Sequence, residues 1–222
     1  MRTLVVGYNG GLGWEVMNEM DYISDVVAFN KSIISGIDIS SFLANLRPFD
    51  FIVYCAGVNH IAKFDDISDD EFFDSMDINC FGFVRLIQLM RYSKKLNPNA
   101  IACIVTSNAA NIPMTHSLSY NCSKAAANMM VRQMGRELRI EELTVFGVAP
   151  NKLKGTGMSK TIEKKVCEMR GWTPEQAEQY QLASLPARQE TDPKDCATFI
   201  RNMIVTHGKT LHGTILPYGG PM

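Results

Sequence analysis

The sequence predicts an α/β protein: a doubly wound parallel sheet with helices on both faces, a three-layer αβα sandwich. Three observations carry this reading. Short apolar runs alternate with longer stretches of helical period, and strands separated by helices pair in parallel through crossovers. The strands are continuously apolar, as in sheets covered on both faces. A glycine cluster (Gly7, Gly10, Gly11, Gly13) stands directly between the first strand and the first helix. With no repeat, low-complexity tract or linker, residues 1–222 read as a single domain.

Taken in order, Leu4-Val5-Val6 is the first strand, residues 14–20 a helix, and Val26-Val27-Ala28-Phe29 the second strand. Phe51-Ile52-Val53-Tyr54-Cys55-Ala56 follows as another strand, closed by Gly57. Residues 69–95 are long and periodic, with Phe72, Phe73, Met76, Phe83, Leu86, Ile87 and Met90 at helical spacing. Residues 101–106 form a strand. Residues 120–142 form a second long helix with Ala125, Ala126, Met129, Met130 and Met134 on its apolar side. Residues 144–149 are a strand ended by Pro150, residues 192–205 a helix, and Thr214-Ile215-Leu216 a last short strand. A strand at Ile37-Asp38-Ile39 would follow Phe29 after only seven residues. Parallel crossovers usually need a dozen residues and a helix, so a short irregular crossover is expected there.

Composition narrows the function. The 222 residues hold 22 basic and 23 acidic side chains, for a formal net charge of -1. That balance argues against a nucleic-acid binder, which needs a basic surplus. No apolar run is long enough to span a membrane. The apolar part of the N-terminus, three residues before Gly7, is too short for a signal-peptide core. The six cysteines form no CxxC, and the four histidines have no ligand spacing. Reduced thiols, a cytoplasmic location and no metal are expected.

The loop Gly7-Tyr8-Asn9-Gly10-Gly11-Leu12-Gly13 carries the first chemistry. Glycines permit a tight turn and close backbone approach, and the helix N-terminus behind them offers free N–H groups and a positive dipole end to a pyrophosphate. Strand before and helix after is the Rossmann-like context for a dinucleotide. Further on, Tyr120 and Lys124 stand four apart at the start of a helix, and so share a face. Ser107 stands at a strand end 13 residues before Tyr120. A tyrosine ionises near pH 10 when free, and a neighbouring ammonium lowers that value. Tyr120 can then exchange a proton with a carbonyl or alcohol oxygen, while Ser107 donates a hydrogen bond to the same oxygen.

The GxxxGxG spacing (Gly7, Gly11, Gly13), Cys55-Ala56-Gly57 at a strand end, Asn79 within the long helix, Ser107, and the YxxxK of Tyr120-Lys124 together resemble the short-chain dehydrogenase/reductase family. So does the closing Leu211-His212-Gly213-Thr214-Ile215-Leu216-Pro217-Tyr218-Gly219-Gly220. The resemblance implies hydride transfer between a nicotinamide cofactor and a carbonyl/alcohol substrate. It makes Ser107, Tyr120, Lys124 and Asn79 the catalytic set. It also implies that Lys124 holds the nicotinamide ribose, and that Asn79 kinks its helix and anchors a water chain to the lysine. Expected cofactor contacts are Gly7, Asn9, Gly10, Gly11, Leu12, Gly13, Cys55, Ala56, Gly57, Tyr120, Lys124, Pro150 and Thr156. Asp38-Ile39 matches the family's adenine-contacting pair. Asn30-Lys31-Ser32 stands where NAD enzymes usually place an acidic residue, so NADP is expected over NAD.

The chain departs from the family pattern in two places: Tyr54-Cys55-Ala56-Gly57 replaces Asn-Asn-Ala-Gly, and Pro150-Asn151 replaces Pro-Gly. Substrate walls are expected from Asn108, His116 and Asn59, and from a segment over residues 152–185 that can act as a lid. Phe81, Phe83, Met130 and Met134 cannot all face one sheet. That suggests a self-association surface, and the resemblance implies pairing of subunits through the two long helices, as a homodimer or homotetramer. Two alternatives stand beside the oxidoreductase reading. The short crossover is similar to that of sugar-nucleotide reductases and epimerases. A non-catalytic dinucleotide-sensing regulator would keep the fold without needing the Ser107/Tyr120/Lys124 set.

Overall fold

The computed structural model describes residues 1–30, 43, 45–185 and 187–220. The apolar runs form β1 (Arg2–Val6), β2 (Asp25–Phe29), β3 (Phe49–Tyr54), β4 (Leu96–Val105), β5 (Leu143–Pro150) and β6 (Ile215–Tyr218). They make one sheet in the order β2-β1-β3-β4-β5-β6, every neighbouring pair parallel. The chain leaves β1 toward β2 on one side and reaches β3 on the other. That change of direction opens a crevice at the strands' C-terminal ends.

Both faces of the sheet are covered, which is why its strands lack polar alternation. Leu4, Ile52 and Ile104 pack on one face with Phe83, Leu86, Ala127 and Val131. Val5, Val53, Cys103 and Phe146 pack on the other with Val16, Met20 and Ile200. The first face lies under α3 (Gly82–Tyr92) and α4 (Leu118–Glu137), with α2 (Asp69–Met76) packed against α4, and the second lies under α1 (Gly11–Asp21) and α7 (Pro193–Asn202).

The structure adjusts several sequence expectations. The long helix predicted over 69–95 is two helices joined by a π-helical turn, Asp77–Phe81, and it ends at Tyr92. The helix predicted over 120–142 starts at Leu118 and stops at Glu137, because Leu138 turns to extended backbone. Its phase is also corrected. The buried side carries Ser119, Ser123, Lys124, Ala127, Asn128 and Val131, whereas Met129 is exposed. Of the four residues read as a surplus apolar face, Phe83 is fully buried, Met130 and Met134 pack on the core, and Phe81 is exposed. The segment over residues 152–185, expected as a lid, contains α5 (Gly157–Arg170) and α6 (Pro174–Ser184). The expected short crossover, with Lys31, Ser32, Asp38 and Ile39, lies outside the described residues.

Candidate active site

The glycine loop is shaped by close approach. Gly7 has φ 84, and a Cβ there would come 2.5 Å from the Ala56 backbone nitrogen. A Cβ on Gly13 would lie 2.1 Å from the Gly7 carbonyl oxygen, and one on Gly11 would lie 2.6 Å from Thr156 Cγ2. The loop is therefore pressed against the end of β3 on one side and the start of α5 on the other. Helix α1 begins at Gly10 with no side-chain cap and no acidic residue in its first turn. The N-termini of α2, α5, α6 and α7 are instead capped by Ser68, Thr156, Thr173 and Asp192. The first N–H groups of α1 thus face a cavity of about 540 Å³ lined by Asn9, Gly10, Gly11, Leu12 and Gly13. Free helix-start donors beside glycines that admit no side chain fit a dinucleotide pyrophosphate.

The opposite wall of the cavity is built by α4 and the strand ends. Ser107 follows β4, and its Oγ accepts from Ala109 N at 3.1 Å. Asn121 ties the loop after Ser107 to α4 by donating to the Ala109 and Ile112 carbonyls at 2.6 and 2.9 Å. Ser107, Tyr120 and Lys124 all line the cavity. Tyr120 keeps part of its surface open to it. Burial pushes the Tyr120 phenol above its ordinary value, opposed by a hydrogen bond with the Ser107 side chain. Lys124 is 3% exposed and donates to the Val105 carbonyl at 2.9 Å. Burial pulls its ammonium down to about 8. Its Nζ lies 5.7 Å from the Tyr120 ring centroid. The expected lowering of the Tyr120 pKa by Lys124 is thus overridden by desolvation in the chain's own environment.

Asn79 sits inside the π-turn and is fully buried. Its Oδ1 accepts from Val58 N at 2.8 Å, and its Nδ2 donates to the Val58 carbonyl and to Ser123 Oγ, each at 2.9 Å. Ser123 in turn donates to the Tyr120 carbonyl at 2.8 Å. One turn earlier, Ser75 donates to Ser119 at 3.0 Å. Two polar rungs four residues apart therefore lock α2 and its π-turn to the buried side of α4, beside Tyr120 and Lys124.

The remaining expected residues divide. Cys55, Gly57, Pro150, Thr156, Asn59 and Asn108 line the cavity. Burial raises the Cys55 thiol's pKa, so it stays protonated. Gly7 and Ala56 shape the cavity from behind rather than lining it, and Asn30 is outside its walls. His116 is not on the cavity wall. Its φ is 66, and its carbonyl accepts from Ala62 N at 3.1 Å, while its neighbours Thr115 and Ser117 do line the cavity. Asn59 presents both side-chain polar atoms buried and without a partner among the described residues. Residues not singled out from the sequence include Ile61, Leu153, Ile162, Val166, Arg170 and Gln181. The i, i+4 spacing of Met158, Ile162, Val166 and Arg170, with Thr156 as cap and Gly171 as stop, was the signal available for α5.

Solved structures define the class of architecture first. The chain superposes on a short chain dehydrogenase family protein from Francisella tularensis with a TM-score of 0.86 at 19% identity, covering 97% of this chain and 96% of that one. For an actinorhodin polyketide ketoreductase variant with NADPH the TM-score is 0.88 at 18% identity, covering 99% and 95%. The short chain dehydrogenase family pattern matches residues 38–166, more than half of the sequence, and the chain belongs to that family. It is 29% identical over 178 residues to the 7alpha-hydroxysteroid dehydrogenase of Escherichia coli, covering 80% of this chain and 65% of that protein. It is 26% identical over 167 residues to the vibriobactin-specific 2,3-dihydro-2,3-dihydroxybenzoate dehydrogenase of Vibrio cholerae, covering 72% and 60%. The matched stretch thus spans less than two thirds of either relative's own length.

Proposed function

We propose that this chain is an oxidoreductase that uses NADP(H) in preference to NAD(H) to interconvert a carbonyl and an alcohol on a small molecule. The observation that supports it is the convergence of Ser107, Tyr120 and Lys124 on one cavity whose other wall is the uncapped start of α1. Bound nicotinamide supplies the hydride. The chain's own residues do the rest. Tyr120 holds or releases the proton at the substrate oxygen, which its high pKa favours as donor in the direction of reduction. Ser107 steadies the charge developing on that oxygen. Lys124, anchored to Val105, fixes the ribose side of the cofactor. Asn79 acts through Val58 and Ser123 as a positioning residue. Preference for NADP rests on Asn30-Lys31-Ser32, which offers a 2'-phosphate no carboxylate to repel it.

Self-association is part of this reading. Phe73, Phe81 and Met129 are 68%, 48% and 60% exposed on α2, the π-turn after it and α4. Their exposure on neighbouring elements is what supports a subunit contact here. Titration with NADPH and NADH by fluorescence tests the cofactor, and tighter NADH would refute the preference. Turnover of a carbonyl panel followed by NADPH absorbance tests the reaction. Tyr120→Phe should abolish that turnover while cofactor binding persists; retained turnover would remove Tyr120 from the acid/base role. Failure across the panel with cofactor bound would favour the sensing regulator.

A further inference from the structure

Helix α5 presents Met158, Ile162, Val166 and Arg170 to the cavity at successive i+4 positions. Its N-cap Thr156 touches the Gly11 backbone, so Met158 lies near the glycine loop. Arg170 stands about 18 Å further along the helix at 1.5 Å per residue. The stripe is apolar along its length and cationic at its far end.

Arg170 is held by aromatic stacking rather than by an ion pair. Its guanidinium carbon lies 4.5 Å from the Trp172 ring centroid and 4.9 Å from that of Tyr180, in the notch between two rings 5.1 Å apart and tilted by 59°. Such stacking leaves the in-plane N–H fork free. Among the described residues no carboxylate pairs with Arg170 and no acceptor takes its donors. The end of α5 does not need it as a cap, since Gly171 in the left-handed region and Trp172 both donate to the Cys167 carbonyl. The other cation in this part of the wall, Lys152, is neutralised by Glu190 at 2.5 Å. The facing residues of α6 are Tyr180, Gln181 and Ser184, none of them acidic.

We propose that the substrate is an elongated apolar carbonyl or alcohol compound ending in a carboxylate, and that Arg170 is the specificity-determining residue that receives this anion while Ile162 and Val166 cover the apolar body. The proposal rests on the oxidoreductase reading for the reacting end, but its test needs no turnover. Octanoate and methyl octanoate are titrated into the full-length protein carrying Trp14→Phe, with NADP present and absent, and read by quenching of Trp172. Octanoate should bind about tenfold or more tightly than the ester, the scale of one charge-assisted bidentate contact. Arg170→Gln should bring the two affinities together by weakening octanoate alone, and Arg170→Lys should keep part of the preference. In the protein with Arg170 intact, added salt should weaken octanoate and leave the ester unchanged, a readout independent of whether the variants fold. Equal affinities, a preference that survives Arg170→Gln, or no saturable quenching by octanoate would overturn the proposal. A failed carbonyl panel with the octanoate preference intact would instead remove the oxidoreductase reading.

Discussion

Replacing Asn79 tests whether the polar lock between the π-turn and α4 holds the site together. The side chain is fully buried and makes three hydrogen bonds, two with Val58 and one with Ser123. In Asn79→Leu the volume is roughly kept, so cavity formation is a small part of the loss. What remains are three partners without their hydrogen bonds, each costing about 1 kcal/mol, or about 3 kcal/mol together. For a chain of this size each kcal/mol moves the melting temperature by about 2–4 °C, so a fall of about 6–12 °C is expected. Thermal unfolding by circular dichroism measures it, with Asn79→Ala showing a further loss from the cavity. NADPH affinity should fall as well, because Val58 adjoins Gly57, and Gly57 lines the cavity beside Lys124. A drop below about 2 °C in Asn79→Leu would refute the reasoning, since that is less than the loss of one hydrogen bond.

Three other outcomes follow from the same geometry. Lys124 has its folded pKa lowered to about 8 from 10.5. At this group the unfolded chain therefore binds more protons between those values, so the contribution of Lys124 to stability without cofactor rises with pH, opposed from about pH 9 by the raised thiols of Cys55, Cys80, Cys103 and Cys196 and above pH 10 by the raised phenols of Tyr54 and Tyr120. Lys124→Met should remove that rising contribution, so that the variant's stability in urea unfolding falls more steeply than the parent's between about pH 8 and 9.5; identical slopes would refute the assignment to Lys124. Gly13→Ala places a Cβ at 2.1 Å from the Gly7 carbonyl oxygen, and should cost about 1–3 kcal/mol and at least tenfold in NADPH affinity, read by melting and titration. Near-normal binding there would show that the loop can shift. Phe73→Glu should leave the melting temperature within about 2 °C at low protein concentration, because Phe73 is 68% exposed. It should reduce the mass seen by light scattering; an unchanged mass would place any subunit contact elsewhere.

The sheet was legible in the sequence because its strands are buried on both faces and therefore uniformly apolar. Leu4-Val5-Val6 and Phe51 to Tyr54 fall within observed strands. That Tyr120 and Lys124 face one cavity was legible by spacing, since one helical turn separates them. Helix phase was harder. Periodicity seeks an apolar stripe, but the buried side of α4 carries Ser119, Ser123, Lys124 and Asn128. Polar groups that are buried and bonded read as surface until their partners are known. The π-turn at Asp77–Phe81 was hidden for a related reason, as one extra residue in a helix leaves little trace in a hydrophobic pattern. Helices α5 and α6 bury only Ser159 and Ala177, so there was almost no core-facing stripe to find. Their signals were instead punctuation: Thr156 and Thr173 as caps, Pro174 at a helix start, Gly171 at a helix end.

The base of the α5–α6 hood has a consequence for how the protein opens. Its two legs are stitched to each other by a parallel bridge between Leu153 and Thr191, with Lys154 N donating to the Thr191 carbonyl at 2.8 Å and Thr191 N to the Lys152 carbonyl at 2.9 Å. Asn151 then bolts this stem to the Gly219 carbonyl at 2.6 Å and accepts from the Thr191 hydroxyl. Residues 155–190 thus form an excursion whose closure is fixed at its root. Disorder above the root does not lengthen any loop within the sheet. The hood can therefore melt and re-form as a separate low-energy unit, with its amides exchanging hydrogen well before those of β5. Changes in the outer turns of the hood can thus be absorbed above the stem without shifting Ser107, Tyr120 and Lys124 below it.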